Sequence, residues 1–376
     1  MNSVQQSGPI AVYGATGFTG KLVARELHRR GADFIVAGRN QAKLDALAGE
    51  LGGVPARAAS LDDPAALRAL LDPCAAVIAC AGPFAEHGEP VLAAAVDTGT
   101  HYIDTTGEQP FMQMVFDRYG ERATRSGAAL VTGMGFDYAP GDLLASLVAD
   151  GMGPLDEIVL AYSVAGFGAT RGTALSALGI IGGDSVIWSD GRRQKAPRNV
   201  DGGDWEFPDP VGRKRTLRYP SGEQLTVPIH VETNSVRTLL NGMMVPARLA
   251  PVAGYTMPAL GMALRTPLRR AAEVFIGRMP EGPSDEDRKG ARFMVSCEAR
   301  AGARSRRGVT TGTDVYGITA VTTSHAALLT AAPGFDRAGA LAPAQAFDAA
   351  DFFSALEDFG VDVNVEPLPE PAAAAR

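Results

Sequence analysis

Three glycines spaced three residues apart follow an apolar run near the start of the chain, and they constrain its fold more than any other feature. The run from Ile10 to Tyr13 leads into Gly14, Gly17 and Gly20. This order predicts a strand, a tight turn and the start of a helix. Glycines there let the backbone turn sharply and let a diphosphate approach the outward-pointing N–H groups of the helix. The stretch therefore predicts a dinucleotide-binding site, with a glycine-rich turn that binds nothing as the alternative.

The end of the second predicted strand indicates which dinucleotide is bound. Arg39 stands 19 residues after Gly20, where NAD sites usually place an acidic residue. A guanidinium suits the 2′-phosphate of NADP(H), because it offers forked donors and a permanent charge. Asn40 and Lys43 are expected to assist it. The alternative is a solvated arginine that ends a strand.

The remaining expected cofactor contacts lie at the carboxyl ends of predicted strands, where doubly wound sheets bind their ligands. Asp62 has a second interpretation, as N-cap of a helix over 64–71, and this is the one we favour because Asp shortly before Pro is typical of a helix start. The full set of expected cofactor-binding residues is Gly14, Thr16, Gly17, Phe18, Thr19, Gly20, Arg39, Asn40, Lys43, Asp62, Ala81, Gly82, Pro83, Phe84 and Gly107.

Alternating strand and helix patterns predict an α/β fold of the Rossmann type, with a doubly wound parallel sheet. Beyond Pro154 the pattern changes to alternating stretches such as 158–164, which favours an inserted α+β domain with a mixed or antiparallel sheet. Further strands are predicted over 33–39, 55–61, 75–82, 101–108, 128–134 and 293–297, and helices over 41–51, 64–71, 89–96, 139–149, 320–331 and 347–359.

Composition narrows the function classes. A chain of 376 residues favours two domains, and a net charge of −7 gives no electrostatic reason to expect nucleic acid. Three cysteines without a paired spacing fit a reducing cytoplasm, and no stretch is apolar enough to predict a transmembrane segment. The uncharged stretch 249–264 is expected to be buried core or a dimer contact, with an apolar lid or a membrane-surface helix as alternatives. No residue spacing predicts a metal site.

Candidate proton donors follow the fifth and sixth predicted strands. No tyrosine has a lysine four residues later, which argues against short-chain reductase chemistry. A carboxyl desolvated in the crevice could give a proton near neutral pH. The candidate catalytic residues are Asp137, Tyr138 and Glu108. The alternatives are a helix N-terminal carboxylate for Glu108 and a loop carboxylate that accepts from backbone N–H groups for Asp137.

Two further titratable residues are assigned structural roles. His230 is interpreted as a satisfied strand histidine, and Tyr316 similarly. Asp104, at the end of the fifth strand, is also expected to face the crevice.

Taken in order, these motifs resemble those of the saccharopine dehydrogenase-like oxidoreductases, and most resemble the actinobacterial branch called trans-acting enoyl reductases. The sequence departs from the family pattern at Tyr138 and Gly141, which stand where serines are common in that family. The motifs that carry it are Gly-Ala-Thr-Gly-Phe-Thr-Gly from Gly14, Ala-Gly-Arg at 37–39, Ala-Gly-Pro-Phe at 81–84, and the segments 102–108, 135–142, 171–174, 190–192, 282–284 and 314–320.

The resemblance implies an NADP-binding Rossmann domain over 1–153 plus 321–376 and a substrate and dimerisation domain over 154–320. It implies NADPH-dependent reduction of an activated C=C bond in a polyketide, lipid or other secondary-metabolite intermediate, in a cytoplasmic homodimer that acts on a small-molecule or acyl substrate. Reduction of a C=N bond, as in saccharopine reductases, is the alternative. A non-catalytic NADP-binding sensor or scaffold is the alternative from another class.

Overall fold

Two β-sheets organise the chain in the computed structural model, which describes residues 5–182, 185–197, 200–241 and 268–368. The strands of these ranges are β1 Ile10–Tyr13, β2 Phe34–Gly38, β3 Ala56–Ala58, β4 Ala76–Ala79, β5 His101–Asp104, β6 Ala129–Val131, β7 Glu157–Ala165, β8 Val186–Ser189, β9 Arg192–Lys195, β10 Asp201–Glu206, β11 Arg213–Arg218, β12 Val236–Asn241, β13 Arg292–Ala301, β14 Arg304–Thr313, β15 Gly339–Leu341 and β16 Asp362–Val365.

Helices connect these strands. They are α1 Phe18–Arg29, α2 Gln41–Glu50, α3 Pro64–Leu71, α4 Phe84–His87, α5 Glu89–Thr98, α6 Gln109–Met114, α7 Gly120–Ser126, α8 Ala139–Ala149, α9 Arg171–Gly182, α10 Glu223–Thr226, α11 Leu268–Gly277, α12 Asp285–Gly290, α13 Val315–Ala331, α14 Pro343–Ala346 and α15 Ala349–Glu357, with a π-helical turn Val115–Tyr119 and a 3-10 turn Val227–Ile229.

The first sheet is parallel and has the strand order β15-β6-β5-β4-β1-β2-β3. Its strand order reverses between β1 and β4, which pair from Ile10 and Ala76 onward. This is the switch point where a doubly wound sheet binds its ligand. The predicted Rossmann-type sheet is confirmed.

Both faces of this sheet are covered, so its central strands are wholly buried. Side chains alternate between the faces: Ile10 and Val12 enter one core cluster, and Ala11 and Tyr13 enter the other. Helices α1 and α13 pack together on the first side, and α3 and α5 pack together on the second.

Helix α3 begins at Pro64 as predicted, but the residue that caps it is different. The carboxylate of Asp63 accepts from the N–H groups of Ala65 and Ala66, at 3.1 and 2.9 Å. The assignment of the cap to Asp62 was therefore wrong. With Pro64 at the first helical position, Asp63 directly before it has the non-helical backbone that an N-cap needs, with φ −119° and ψ 86°.

The second sheet is mixed, as predicted, and runs β10-β11-β12-β7-β13-β14-β16, with β8 and β9 attached at β12. Its only parallel pair among the described strands is β7 with β12. Strand β13 pairs along nearly its whole length with β7 on one side and β14 on the other. An apolar cluster that includes Trp205, Phe207 and Met294 covers part of this sheet.

The C-terminal segment contributes to both sheets. Strand β15 extends the parallel sheet at β6, and β16 extends the mixed sheet at β14.

The domain boundaries given above stay a prediction. The uncharged stretch 249–264 lies outside the described residues. Within the described ranges, no helix has the length and apolar character needed to cross a membrane.

Candidate functional site

The turn after β1, where a diphosphate is predicted to bind, has glycines at positions that leave no room for a side chain. Gly14 has a φ of +82°, and a Cβ on it would lie 3.0 Å from the backbone nitrogen of Ala81, just past β4. A Cβ on Gly20 would collide with the carbonyl of Gly14. Glycine is therefore needed at both positions, because the backbone of α1 passes directly over the turn.

The N-terminus of α1 is left open. Gly17 is its N-cap and offers no side chain, and the first turn carries no acidic residue. Among the described residues, the N–H groups of Phe18, Thr19 and Gly20 have no acceptor, whereas the next one, of Lys21, bonds to the carbonyl of Gly17. Donors at the positive end of a helix dipole fit an anionic diphosphate.

Arg39 lies exposed just after β2, on the same edge of the sheet. It makes no ion pair within the described ranges, so its guanidinium remains available to a ligand. Asn40 caps α2 by accepting from the N–H of Lys43 at 3.0 Å. Arg39 and Asp62 both act on the buried hydroxyl of Tyr13: burial raises its pKa, Arg39 lowers it and Asp62 raises it further. Both expected adenosine contacts therefore lie at this end of the first three strands.

The loops after β4 and β5 meet through Glu108. Its carboxylate accepts from the N–H groups of Phe84 and Ala85, at 2.8 and 3.0 Å, and from the hydroxyl of Ser176 at 2.7 Å. The alternative placed the Glu108 carboxylate at the start of the helix beside Pro110, but its side chain does not cap that helix. It bonds instead to the N-terminus of α4. With three hydrogen bonds accepted, it fixes the loop Gly82-Pro83-Phe84 at the crevice.

The hydroxyl proton of Tyr138 is already engaged in a hydrogen bond. Its hydroxyl donates to the carbonyl of Gly107 at 2.6 Å and lies 3.2 Å from the hydroxyl of Tyr219. A phenol carries one proton, so the second contact is a hydrogen bond from Tyr219 to Tyr138. Burial raises the pKa of Tyr138 well above its usual value. Tyr138 therefore holds the carbonyl of Gly107 and the hydroxyl of Tyr219 in position.

Asp137 differs from the other two candidates because its carboxyl is uncommitted. It is partly exposed, and no hydrogen bond or ion pair to it is found in the described part of the chain. A Cβ on Gly107 would lie 3.2 Å from its Oδ2. Burial raises the pKa of Asp137 to about 6. A partly exposed carboxyl whose pKa is raised toward neutrality can act as a general acid.

Two other carboxyls of the region are committed to structure. Asp104 is fully buried and accepts from the Gly133 N–H at 2.8 Å and from Thr132, although burial raises its pKa to about 6. Asp142 lies 2.9 Å from Nε2 of His230 and accepts from the N–H of Ala344. His230 is satisfied, as predicted, but it follows a 3-10 turn instead of lying in a strand.

Residues of the second sheet and its loops cover the glycine turn. The ring of Phe18 meets Tyr316 edge-on at 5.2 Å, and Tyr316 stacks on Phe167 at 5.7 Å. A Cβ on Gly282 would strike the ring of Phe18. Lys21 forms a 3.2 Å ion pair with Glu281 in the same loop. Residues 167, 281, 282 and 316 therefore border the predicted cofactor site on a second side.

Several residues of the site were missed in the sequence. Ser176, Tyr219 and Glu223 come from segments whose pattern carried no motif for them. One signal was present: a Cβ on Gly141, where the resembling family commonly has serine, would overlap the hydroxyl of Tyr162 and the Oε1 of Glu223. The departure from the family motif marks the place where these two side chains meet.

The fold and the open glycine turn define a Rossmann-type dinucleotide-binding protein with an additional mixed-sheet domain. Residues 10–131 match the family described as the saccharopine dehydrogenase NADP binding domain. That segment is similar to the NADP-binding domain of the family, and the match supports the prediction of a nicotinamide dinucleotide cofactor.

Named relatives agree with this assignment. A trans-acting enoyl reductase of Mycobacterium ulcerans is 36% identical over 149 residues, which are 38% of this chain and 36% of that protein. A Mycobacterium tuberculosis protein that bears an enoyl reductase name is 33% identical over 208 residues, 52% of this chain and 49% of its own length. The chain thus spans about half the length, or less, of the curated relatives it matches.

A solved structure matches the whole fold. The apo saccharopine dehydrogenase (L-Glu forming) of Saccharomyces cerevisiae aligns over 96% of this chain and 100% of its own, with a TM-score of 0.60 and 14% identity. The predicted fold class is confirmed. The predicted resemblance to saccharopine dehydrogenase-like oxidoreductases and trans-acting enoyl reductases is also confirmed.

Proposed function

We propose that the protein is an NADPH-dependent reductase that adds hydride to an activated C=C bond of an acyl substrate. One observation carries the proposal: Asp137 places an uncommitted, partly exposed carboxyl beside Gly107, past the carboxyl ends of β5 and β6, the two strands that follow β4 in the parallel sheet. Names of relatives that contain "enoyl reductase" support the substrate class.

Each part of the site would have a defined task. Bound NADPH would supply the hydride. The open N–H groups of α1 would hold its diphosphate, and Arg39 would hold its 2′-phosphate. Glu108 and Tyr138 would fix the loops after β4 and β5. Asp137 would give a proton to the substrate carbon next to the one that receives hydride.

The second domain, over 154–320, would supply the substrate pocket. Helix α9 supports this role, because Ser176 reaches Glu108 and the residue before the helix, Thr170, bonds through its N–H to the hydroxyl of Tyr316 at 2.9 Å. A small acyl or lipid-like substrate, a homodimer and a cytoplasmic location belong to the same proposal.

The experiment is a turnover assay with a panel of probes. Oxidation of NADPH is followed by absorbance with crotonyl-CoA as the C=C probe and 1-piperideine as the C=N probe. Turnover of crotonyl-CoA supports the proposal, and turnover of the imine alone would assign C=N reduction. Binding of NADPH without oxidation by either probe would contradict this proposal and favour the sensor.

The variant Asp137→Asn tests the general acid. It is expected to bind NADPH as the unmodified protein does and to reduce the active probe about 100-fold more slowly, which is the usual size of a general-acid effect. Asp45→Asn, at an exposed position on α2, is the matched control. Full activity of Asp137→Asn would remove Asp137 from the mechanism.

A further inference from the structure

Helix α11 presents apolar side chains to solvent. Val274 is 58% exposed and Phe275 is 71% exposed, the two highest values among the large apolar residues that the structure describes. Ala271, which is also exposed, lies three and four residues before them and therefore on the same face of the helix. A surface helix usually turns such a face toward the core, and an apolar patch left outside indicates a contact surface.

The opposite face of α11 is fastened to the protein beside the crevice. Ile276 is buried, and Arg269 donates from Nε to Glu273 and from its terminal nitrogen to Glu86 on α4, both at 2.7 Å. The first N–H groups of α4 are the ones that Glu108 holds at the crevice. Helix α11 also packs against α9. Its exposed face is thus held in a fixed orientation next to the crevice loop.

The charge around this face is positive. Arg270 and Arg278 lie near its two ends, are exposed, and make no ion pair within the described ranges. Over 268–278 the sequence has three arginines and one acidic residue, Glu273, although the whole chain has a net charge of −7. Glu273 is already paired with Arg269. An apolar face bounded by free arginines complements a surface that is both anionic and apolar beneath its charges.

Charge complementarity also decides between the two occupants that would cover this face. A second copy of the chain in a two-fold symmetric dimer would place the face against itself, and Arg270 and Arg278 would then meet the same positive charges. An anionic phospholipid surface removes that repulsion, because its phosphates pair with the arginines while Val274 and Phe275 enter the boundary of the acyl chains.

We propose that α11 docks the protein on an anionic bilayer surface, with Val274 and Phe275 among the outer acyl-chain segments and Arg270 and Arg278 at the headgroup phosphates. The helix has 10 residues, so it lies in the interface and does not cross the bilayer. The docking does not depend on the reaction that the protein catalyses. If the proposed function holds, docking brings the crevice to the place where a lipid-like acyl substrate is dissolved.

The first test measures co-sedimentation of the full chain with sucrose-loaded vesicles. The vesicles contain phosphatidylcholine alone or a two-to-one mixture of phosphatidylcholine and phosphatidylglycerol. Binding is expected to the mixture and should weaken as salt rises. Phe275→Ser should lower the partition coefficient about 10-fold, because it removes most of the apolar burial of a phenyl ring. Arg278→Ala should lower it about 5-fold, which corresponds to the roughly 1 kcal/mol that one arginine contributes near an anionic surface.

Matched variants control for changes elsewhere on the surface. Ile229→Ser removes an apolar side chain that is 43% exposed after α10, and Arg125→Ala removes an exposed arginine from the end of α7. Both are expected to bind the vesicles as the unmodified protein does. Circular dichroism and thermal unfolding verify that every variant is folded, so a loss of binding is not a loss of structure. No step of the assay needs turnover, so failure of the proposed function leaves its result standing.

Three outcomes would overturn the inference. The unmodified protein would fail to sediment with the mixed vesicles at low salt. Alternatively, Phe275→Ser would bind them as well as the unmodified protein, which would mean that charge alone adsorbs the protein. Finally, gel filtration would show an oligomer that Phe275→Ser dissociates, which would make this face a contact between copies of the chain.

The second test locates the contact on the protein. In Phe275→Trp, the new indole should be quenched by mixed vesicles whose acyl chains carry bromine, whereas the indole of Ile229→Trp should not. The two native tryptophans supply a background that the unmodified protein measures. Quenching confined to Ile229→Trp, or absent from both variants, would place the lipid contact away from α11 and refute the assignment.

Discussion

Replacing Arg39 gives the sharpest test of the cofactor assignment, because the residue stands alone at the end of β2. It is exposed and makes no ion pair in the described part of the chain, so Arg39→Ala should leave the free energy of unfolding nearly unchanged. Its only expected loss is the contact to the 2′-phosphate of NADPH.

The size of that loss follows from the kind of contact. A hydrogen bond to a charged group contributes about 1.5–3 kcal/mol, so Arg39→Ala should weaken NADPH binding about 10- to 150-fold. Arg39→Asp adds repulsion of about 1 kcal/mol, because two unit charges about 5 Å apart in water interact with roughly that energy. NADH, which lacks the phosphate, should bind both variants as before, and Asp can accept from its ribose 2′-OH.

The assay is a fluorescence titration of each variant with NADPH and NADH at one ionic strength, since salt screens exposed charges. Arg25→Ala is the matched control, because that side chain is 54% exposed on the neighbouring helix α1. Equal losses of affinity for the two cofactors would refute the 2′-phosphate assignment, as would unchanged NADPH binding by Arg39→Asp.

Three further predictions concern stability. Glu108→Gln should lower the free energy of unfolding by about 1–3 kcal/mol and loosen α4, because an amide cannot accept both backbone N–H groups; chemical denaturation and hydrogen exchange at Phe84 would measure this, and unchanged exchange would contradict it. His230→Ala should cost about 3 kcal/mol near pH 5.5, since it leaves the Asp142 carboxylate buried and unpaired. The pairing raises the pKa of His230 and lowers that of Asp142. The loss of stability in His230→Ala should therefore shrink as the pH rises through the folded pKa of His230, and also as the pH falls through the folded pKa of Asp142. A loss of stability that is independent of pH would refute the pairing. Gly141→Ala should destabilise by about 1–3 kcal/mol in thermal unfolding, because its Cβ meets Tyr162 and Glu223. Gly49→Ala, also within a helix but with nothing within 4 Å of the added Cβ, is the matched control, and no loss in Gly141→Ala would contradict the close packing.

The first domain was predictable where local signals and the hydrophobic period agree. Helices α3 and α8 begin and end at the predicted residues, and a proline in the first turn of each marks its start. Strand β4 was predicted as 75–82 but ends at Ala79. The apolar run continues past the last ladder hydrogen bonds into the cofactor loop, and periodicity cannot separate strand from buried loop.

The second domain was predicted only in outline. Strands β10 and β11 read Asp-Gly-Gly-Asp-Trp-Glu and Arg-Lys-Arg-Thr-Leu-Arg, so they lack the apolar alternation that marks a strand. Cross-strand ion pairs such as Arg213 with Asp204 accompany their pairing. Such pairs depend on the partner strand, which a single segment does not reveal.

The site was predicted as a set of loops, but the roles within it depended on tertiary contacts. Glu108 lies 24 residues from the N–H group of Phe84 that it binds, and Glu223 lies 61 residues from Tyr162. Sequence spacing placed Asp137, Tyr138 and Glu108 at one edge of the sheet. Only the hydrogen bonds show that the carboxyl of Asp137 is free to react, whereas Glu108 and Tyr138 are engaged with other residues.

Strands β15 and β16 restrict how the two halves of the molecule can move. The chain that links them adds an edge strand first to the parallel sheet and then to the mixed sheet. A wide rotation about the segment between β15 and β16 would break the hydrogen bonds either between β15 and β6 or between β16 and β14. Entry and exit of a long nucleotide should therefore depend on displacement of the loops over Phe18, with the two sheets keeping their mutual orientation.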